Sequence, residues 1–314
     1  MGPRVSIIVP AYNSENYLAD TLDGVLVQSF ADWELVVFDD GSTDGTRAVC
    51  DQYASRDPRI RTVHGANVGV AAARNAGYAE TNRDSEFVIF LDHDDVWLAD
   101  ALESLAAMLD ANPAYVSAHS VARCIDGAGK QPPLDDLEDR MRERLGFRGR
   151  DVVALAPHEP TTFADLAYAN WIVTPGLHLI RRTALDAVGG FDPQTVPCDD
   201  YDMSVRLSRT GPIGYTERSL LNWRRHAEAQ SYQSRSWSVA LLKVLHKMLN
   251  DPSNTPEQTR LARRGYVHRI RAENRAARQH LANCEFTQAV RRCLRAVQQS
   301  GFYVRSRVVG MSRR

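Results

Sequence analysis

The sequence predicts an α/β fold: a mainly parallel sheet flanked by helices, with a helical extension at the C-terminus. Three observations carry that expectation. Short apolar runs alternate with helix-period segments through the first hundred residues, the pattern of strand–helix–strand units. Those runs end in loops rich in Asp, Asn and Gly, where an open α/β sheet places its ligand sites. Beyond Asp251-Pro252 the strand pattern stops, and Ala and Arg recur at helical spacing.

The first run, "VSIIVP" (5–10), is almost continuously apolar, as a strand covered on both faces must be. A helix follows over "SENYLADTLDGVLVQ": Tyr17, Leu18, Thr21, Leu22, Val25 and Leu26 share one face, and Asn13 or Ser14 supplies the cap. Strand "WELVVF" (33–38), loop "DGSTDG" and helix "TRAVCDQYASRD" repeat the unit, as do strand "RIRTVH" (59–64), helix "GVAAARNAGYAE" (69–80) and strand "EFVIFL" (86–91). After the helix "ADALESLAAMLDAN", the stretch "AYVSAHSVARCIDGAGK" reads as a strand running into an Asp-Gly turn. Residues 126–160 are rich in Pro, Gly and charge and predict mobile loops or short helices. "GLHLIRR" (176–182) and "IGYTERSLLNW" (213–223) supply further strands, separated by a short helix in "TALDAVGGFDP" and a longer one in "DDYDMSVRLSRTG". The rest predicts an αα-hairpin with Ala at the close-packing positions. The expected domains are residues 1–230, in halves of about 1–100 and 101–230, and a basic helical region, 231–314.

Composition narrows the functional classes. With 314 residues, 44% of them hydrophobic, the chain can bury a sizeable core. No apolar run approaches the roughly 18 residues a membrane helix needs. "MGPRVSIIVP" lacks the basic and apolar regions of a signal peptide, so a cytoplasmic protein is expected. Five dispersed cysteines (Cys50, Cys124, Cys198, Cys284, Cys293), with no CxxC pair, argue against a disulfide framework or zinc site. The net charge of -1 conceals an asymmetry: from Thr255 onward there are 14 Arg, no Lys and three Glu. An acidic body therefore carries a basic tail. Few aromatics accompany those arginines, so no nucleic-acid partner is expected. Two readings of the tail stay open: a hairpin packed on the body with its arginines solvated or set against the acidic surface, or a peripheral contact with the inner face of an anionic membrane.

Three acidic clusters follow apolar segments: "FDDGSTDG" (38–45), "LDHDDVW" (91–97) and "CDDYD" (198–202). A shared cleft lined by them suits a divalent cation, Mn²⁺ or Mg²⁺, which takes one or two carboxylates and lets a substrate diphosphate supply other oxygens. An EF-hand is excluded, because Trp97 stands where the calcium loop needs glycine. "VIFLDHDDV" also fits the DxDx[TV] pattern of haloacid-type phosphatases, in which Asp92 would be the nucleophile and Asp94 the acid/base beside Mg²⁺. That alternative wants a lysine in a later motif. Lys130, Lys243 and Lys247 have no such context, and the first eighty residues would go unexplained.

The ordered set "VSIIVPAYNSENYLADTLDGVLVQSFADWELVVFDDGSTDGT", "NVGVAAARNAG", "FLDHDD", "VGGFD" with "CDDYD", and "WRRHAEAQS" resembles the family 2 glycosyltransferases over roughly residues 4–231. The resemblance implies a GT-A fold, with a mainly parallel Rossmann-like sheet, and an inverting, metal-dependent transfer from a nucleotide diphosphate sugar, UDP favoured. The implied acceptor is a hydroxyl of a glycan, a cell-wall or lipid-linked intermediate, or a small natural product. Pro10, Ala11 and Tyr12 would line the base pocket, with Asp40 accepting the hydrogen bond from the uracil ring. Asn67 and Arg74 would close the nucleotide site. Asp92 would contact the ribose or base, with His93 in the free middle position of DxD on the donor side. Asp94 and His226 would hold the metal, with Arg224 or Arg225 as counter-charge. Asp200 would be the general base, with Asp199 as its natural substitute on the acceptor side. Apart from the resemblance, Trp171 after "FADLAYAN" reads equally as a sugar-stacking platform or as a core tryptophan. Asp199 and Asp200 are expected to open a helix, whose dipole lowers a carboxyl pKa. Neighbouring negative charge pushes the other way.

Overall fold

A computed structural model describes residues 2–132, 136–227, 229 and 237–282. The strand–helix alternation appears as expected: β1 (Val5–Ala11), α1 (Leu18–Leu26), β2 (Trp33–Asp39), α2 (Thr46–Arg56), β3 (Ile60–His64), α3 (Val70–Ala79) and β4 (Phe87–Phe90). A two-residue β5 (Val96–Trp97), α4 (Ala101–Ala111) and the long β6 (Ser117–Asp126) follow. Residues 126–160, expected to be loops or short helices, also hold a β-hairpin: after α5 (Leu137–Arg142), β7 (Leu145–Arg148) pairs antiparallel with β8 (Asp151–Ala154). Next come α6 (Phe163–Tyr168), β9 (His178–Arg181), α7 (Arg182–Val188), α8 (Asp199–Leu207) and β10 (Ile213–Arg225). The C-terminal part contributes α9 (Trp237–Asn250), which begins ahead of the expected helical start, and α10 (Pro256–Ala282). The second arm of the expected αα-hairpin lies outside the described residues.

One eight-stranded sheet runs β3-β2-β1-β4-β9-β6-β10-β5. The pairs β1–β2, β2–β3, β1–β4 and β6–β10 are parallel, whereas β9 is antiparallel to both neighbours and β5 to β10. Strand β1 shows why its sequence is apolar throughout. Val5, Ile7 and Val9 point into a core shared with Leu18, Leu22 and Leu105. Ile8 points the other way, to Val88, Phe90 and Phe191. Helices thus cover both faces. Helix α3 comes so close that a Cβ on Gly77 would sit 2.7 Å from the Ile8 side chain, so only glycine fits there.

A third core joins the C-terminal helices to the elements of the chain's second half: Leu241, Leu242, Leu245, Ala262 and Tyr266 pack with Phe147, Leu166, Tyr201 and Val205. Where α10 crosses α6, a Cβ on Gly265 would lie 1.9 Å from the Ala167 carbonyl oxygen. Arg264 donates from Nη1 to the Gly149 carbonyl at 2.8 Å and from Nη2 to the Arg150 carbonyl at 2.5 Å, and its guanidinium lies over the Phe147 ring.

Candidate active site

The parallel register brings the strand ends together. Ala11 pairs with Asp39, Asp39 with His64, and Ile8 with Phe90, so the residues that follow all emerge at one edge. They border a cleft of about 1090 Å³ that reaches Pro10, Ala11, Tyr12, Asp40, Asn67 and Arg74 on one side and Asp199 and Asp200 on the other. Tyr12 is 45% exposed, an open aromatic face at the mouth of the cleft. Asp39 points away into the β2–β3 edge, where it accepts from the Ser42 amide (2.9 Å) and faces His64 Nδ1 (3.0 Å). Burial opposes its charge, but Ser42 and His64 together hold its pKa below the usual value. Asp40 already uses each carboxylate oxygen on a backbone amide, those of Val68 (2.8 Å) and Gly69 (2.9 Å). It orders the loop carrying Asn67, and a base would meet only the second lone pairs of its oxygens.

"FLDHDDVW" splits into four environments. Asp92 accepts a 2.5 Å bond from Arg74 at Oδ1, and Thr174 Oγ1 lies 3.4 Å from Oδ2. His93 lines the cleft, while its carbonyl accepts from Thr21 Oγ1 at 2.8 Å. Asp94 Oδ2 lies 2.9 Å from His226 Nε2. Burial raises the Asp94 pKa, but the His226 bond and the His93 and His226 charges outweigh it, and the net direction is down. Asp95 is buried and accepts from Thr174 Oγ1 (3.1 Å) and from the Arg224 amide (3.0 Å). Burial first, then Asp94 and Asp92, push its pKa well up. Asp95 therefore ties the end of β10 to this loop.

Arg224 completes that tie from within. It is buried and donates to the Asp94 carbonyl (2.9 Å), the Gly127 carbonyl (3.2 Å) and Asp20 (2.7 Å). Its guanidinium sits 5.1 Å from the Tyr17 ring centroid, and the same ring lies 4.4 Å from the His226 ring. In the sequence Tyr17 is one residue of a core-facing helical stripe. Its contact with His226 spans most of the chain and has no local signal.

Arg74 sits at the centre of the cleft floor, against the Phe191 ring. The resemblance implies a place for it against the nucleotide. In the structure it lines the cleft, and its Nη2 donates to Asp92 and its Nη1 to Asp199 at 2.6 Å. Burial opposes its charge, but the two carboxylates win and its pKa rises. Asp199 and Asp200 open α8 as expected, but the helix dipole does not decide their protonation. Burial first, then the Asp199 charge, lifts Asp200 from 3.8 to about 8. Asp199 is also raised, chiefly by burial, though Arg74 works against it. One arginine therefore serves three carboxylates and touches only two, leaving Asp200 as the unpaired acid.

The sequence profile of Glycosyl transferase family 2 matches residues 6–189, more than half of the chain. The chain belongs to glycosyl transferase family 2. The glycosyltransferase TuaG of Bacillus subtilis (strain 168) is 44% identical over 115 residues, which are 36% of this chain and 45% of TuaG. A glycosyltransferase of Rickettsia felis is 34% identical over 251 residues, 79% of this chain and 38% of that protein. The chain thus spans less than half the length of these relatives. Among solved structures, S. aureus TarS in complex with UDP-GlcNAc superposes with a TM-score of 0.66 at 18% identity, covering 94% of this chain and 81% of that one. The mannosyltransferase PcManGT from Pyrobaculum calidifontis, in complex with GDP-Man and Mn²⁺, gives 0.59 at 20% identity, covering 98% and 87%. Both likenesses are to GT-A folds, and the fold is what they establish. The match removes the footing of the phosphatase alternative, and the Arg74 bond to Asp92 speaks against a free nucleophile there.

A family 2 transferase with a DxD sequence implies a divalent cation, and this corner fits one. Among the described residues no three His, Cys, Asp or Glu side chains form a ready cage. Two adjacent donors are offered instead, a carboxylate and an imidazole whose second nitrogen, His226 Nδ1, is buried without a hydrogen-bond partner among the described residues. A hard cation that draws its other ligands from a diphosphate needs no more protein than this. Trp171 is not among the residues that line the cleft. Its indole N–H donates to the Leu145 carbonyl at 3.0 Å and its ring packs beside Tyr168, and among the described residues Tyr168, Trp223 and Trp237 line the cleft instead. No described helix is long and apolar enough to cross a membrane.

Proposed function

We propose that the chain is an inverting, metal-dependent glycosyltransferase that moves a sugar from a nucleotide diphosphate sugar, UDP-linked in the first instance, to an acceptor hydroxyl. The observation that carries this reading is the split of the acids around one cleft. Asp94 and His226 form a cation corner at one side, and the unpaired Asp200 lies across the Arg74 bridge at the other. A cation held by Asp94 and His226 would supply Lewis-acid stabilisation of the diphosphate leaving group.

The remaining chemistry belongs to the chain. Tyr12 offers its ring to the base, and Asn67 borders the nucleoside region. Asp200, as carboxylate, accepts the proton of the acceptor hydroxyl while that oxygen bonds to the anomeric carbon. The bond from the anomeric carbon to the diphosphate oxygen breaks on the opposite face, and the nucleoside diphosphate leaves. One base facing one leaving group gives inversion. A pKa of about 8 makes Asp200 a stronger base than an ordinary carboxylate once it is ionised, and matches it to neutral or mildly alkaline conditions.

A thermal-shift panel of UDP-, GDP-, dTDP- and CMP-sugars, each with and without Mn²⁺, tests the reading. Stabilisation by one nucleotide class that requires Mn²⁺ is expected, with UDP the first candidate. No stabilisation by any of them would overturn the proposal.

A further inference from the structure

We propose that a water molecule is held behind Asp200, in an internal cavity where His178 and Ser204 set it against the carboxyl, and that these two side chains are positioning residues for the base. The inference rests on the role given to Asp200 above and deepens it. Asp200 stands between two spaces. It lines the cleft, and it also lines a cavity whose other polar side chains are His178 and Ser204 and whose remaining walls, Phe90, Phe191 and Met203 among them, are apolar. Every other residue around that cavity is buried. About 10 Å³ is open to the centre of a water molecule, which is room for one. A cavity walled only by apolar groups stays dry, whereas a water wants about two to four polar partners. Here three converge.

The donors and acceptors fit one arrangement. Ser204, one turn after Asp200 in α8, donates its hydroxyl hydrogen to the Asp200 carbonyl at 2.9 Å, so toward the cavity its oxygen accepts. Burial pushes the His178 pKa down to about 3, so the ring is neutral and carries one N–H. Its Nε2 faces Ser117 Oγ at 2.7 Å, and its Nδ1 lies 3.5 Å from Ser204 Oγ, long for a direct bond. With the Ser117 hydroxyl donating to Nε2, the Nδ1 hydrogen goes to the water, which gives its own two to Ser204 Oγ and to the Asp200 carboxylate. Among the described residues the carboxyl otherwise accepts one hydrogen bond, from the Tyr201 amide at 2.6 Å. The outer torsion of an aspartate is soft, so a second anchor from behind fixes the carboxyl plane while the cleft side stays free for the acceptor hydroxyl. The same bond favours the ionised form that the base needs.

Two measurements on the full chain test the proposal. A crystal structure that shows ordered waters should place one within hydrogen-bond distance of His178 Nδ1, Ser204 Oγ and the Asp200 carboxyl. A dry cavity, or one filled by a side chain, would overturn the proposal. The second measurement is a pH profile. His178→Phe removes both ring nitrogens, and His178→Asn keeps an N–H near the place of Nδ1. Each is made with and without Asp200→Asn, and the difference in Tm within each pair is followed against pH. In the wild-type background that difference should grow up to about pH 8. With His178→Phe it should go on growing to about pH 9, because the carboxylate has lost a donor, and His178→Asn should bring the end point back toward about pH 8. Asp199, Arg74 and Asp92, whose charges act on Asp200, are the same in every pair. If His178→Phe does not fold, Ser204→Ala should move the end point in the same direction. An end point unchanged by these substitutions would overturn the positioning role. Nucleotide-sugar binding with Mn²⁺ is measured in the same samples. Its absence would sink the transferase reading and leave the water site standing, whereas binding without the water or the shifted end point would sink only the water site.

Discussion

Replacing Asp200 by asparagine should change how stability depends on pH, by an amount that follows from the site. The wild-type carboxyl is lifted from 3.8 to about 8, first by burial and then by the Asp199 charge. Between those two values the folded chain holds a proton that the unfolded chain has released. Wild-type stability therefore falls as pH rises through that window, by at most about 1.36 kcal/mol per pH unit from this group. The amide introduced by Asp200→Asn would keep an acceptor for the Tyr201 amide, now 2.6 Å from Asp200 Oδ1, and would not titrate. Asp95 is also raised, but it is present in both proteins and cancels in the difference, whereas Asp199 is coupled to Asp200 by charge and makes the following figure an upper bound. From about pH 6 to about pH 8 the variant should gain on the wild type by up to about 2.7 kcal/mol, or roughly 4 °C in Tm for a chain of this length. Thermal melts from about pH 5 to about pH 9 measure the gap. It should widen steadily up to about pH 8 and then level off. In the same variant nucleotide and Mn²⁺ binding should persist while transfer falls at least about 100-fold. Parallel melting curves for the two proteins would show that Asp200 has an ordinary pKa, and near-normal transfer would pass the role of base to Asp199.

Arg74→Met should destabilise the fold by about 3–5 kcal/mol in urea, because it strands Asp92 and Asp199 in a buried setting, and Arg74→Lys should recover little because a single ammonium cannot replace the two-pronged donor. Tyr17→Ala should weaken Mn²⁺ binding, measured by electron paramagnetic resonance, about tenfold through loss of the ring that holds His226, whereas Tyr17→Phe should leave it unchanged. Truncation after Asn254 should lower Tm and expose apolar surface to a fluorescent dye, since Ala262 and Tyr266 leave the core they share with Phe147 and Tyr201.

Much of the fold was legible because parallel strands and their helices are written locally. Val5 to Pro10 could only be a strand covered on both faces, and the helix stripes gave their own faces. Strand β9 was found, but its antiparallel insertion between β4 and β6 was not, because pairing direction depends on contacts remote in sequence. The hairpin at 145–154 was missed because its four-residue strands lie among Arg, Gly and Asp, which read as loop. In the site, the resemblance gave Asp94 to a metal and His226 to the metal or the diphosphate, and the fold brings the two side chains within hydrogen-bond distance. Arg74 lines the cleft beside the other residues expected at the nucleotide, but its two acidic partners were not legible. A sequence shows that a cation lies among acidic motifs, but not which of them its guanidinium meets. Trp171 was open in the same way: an indole after a helix reads equally as platform or core, and the Leu145 carbonyl decides it.

The Arg74 bridge also explains why adjacent aspartates do different work. In "CDDYD" the first acid turns inward to the guanidinium and can stay charged in a buried setting, because its charge is paired. Burial raises both acids, but Arg74 works directly against the rise in Asp199, whereas Asp200 has no guanidinium contact and rises to about 8. In "FLDHDDVW" Asp92 meets Arg74, Asp94 meets His226, and Asp95 meets only a hydroxyl and an amide, so it is the one pushed well up. In both stretches a guanidinium or imidazole partner reached over 18 to 132 positions of sequence, or the lack of one, gives chemically identical side chains different environments. A metal and a diphosphate entering at Asp94 would add charge at the paired end and leave Asp200 as the acid free to exchange its proton. Under the proposed mechanism the base is selected by what Arg74 does not touch, and moving the arginine's partner from Asp199 to Asp200 should exchange their roles.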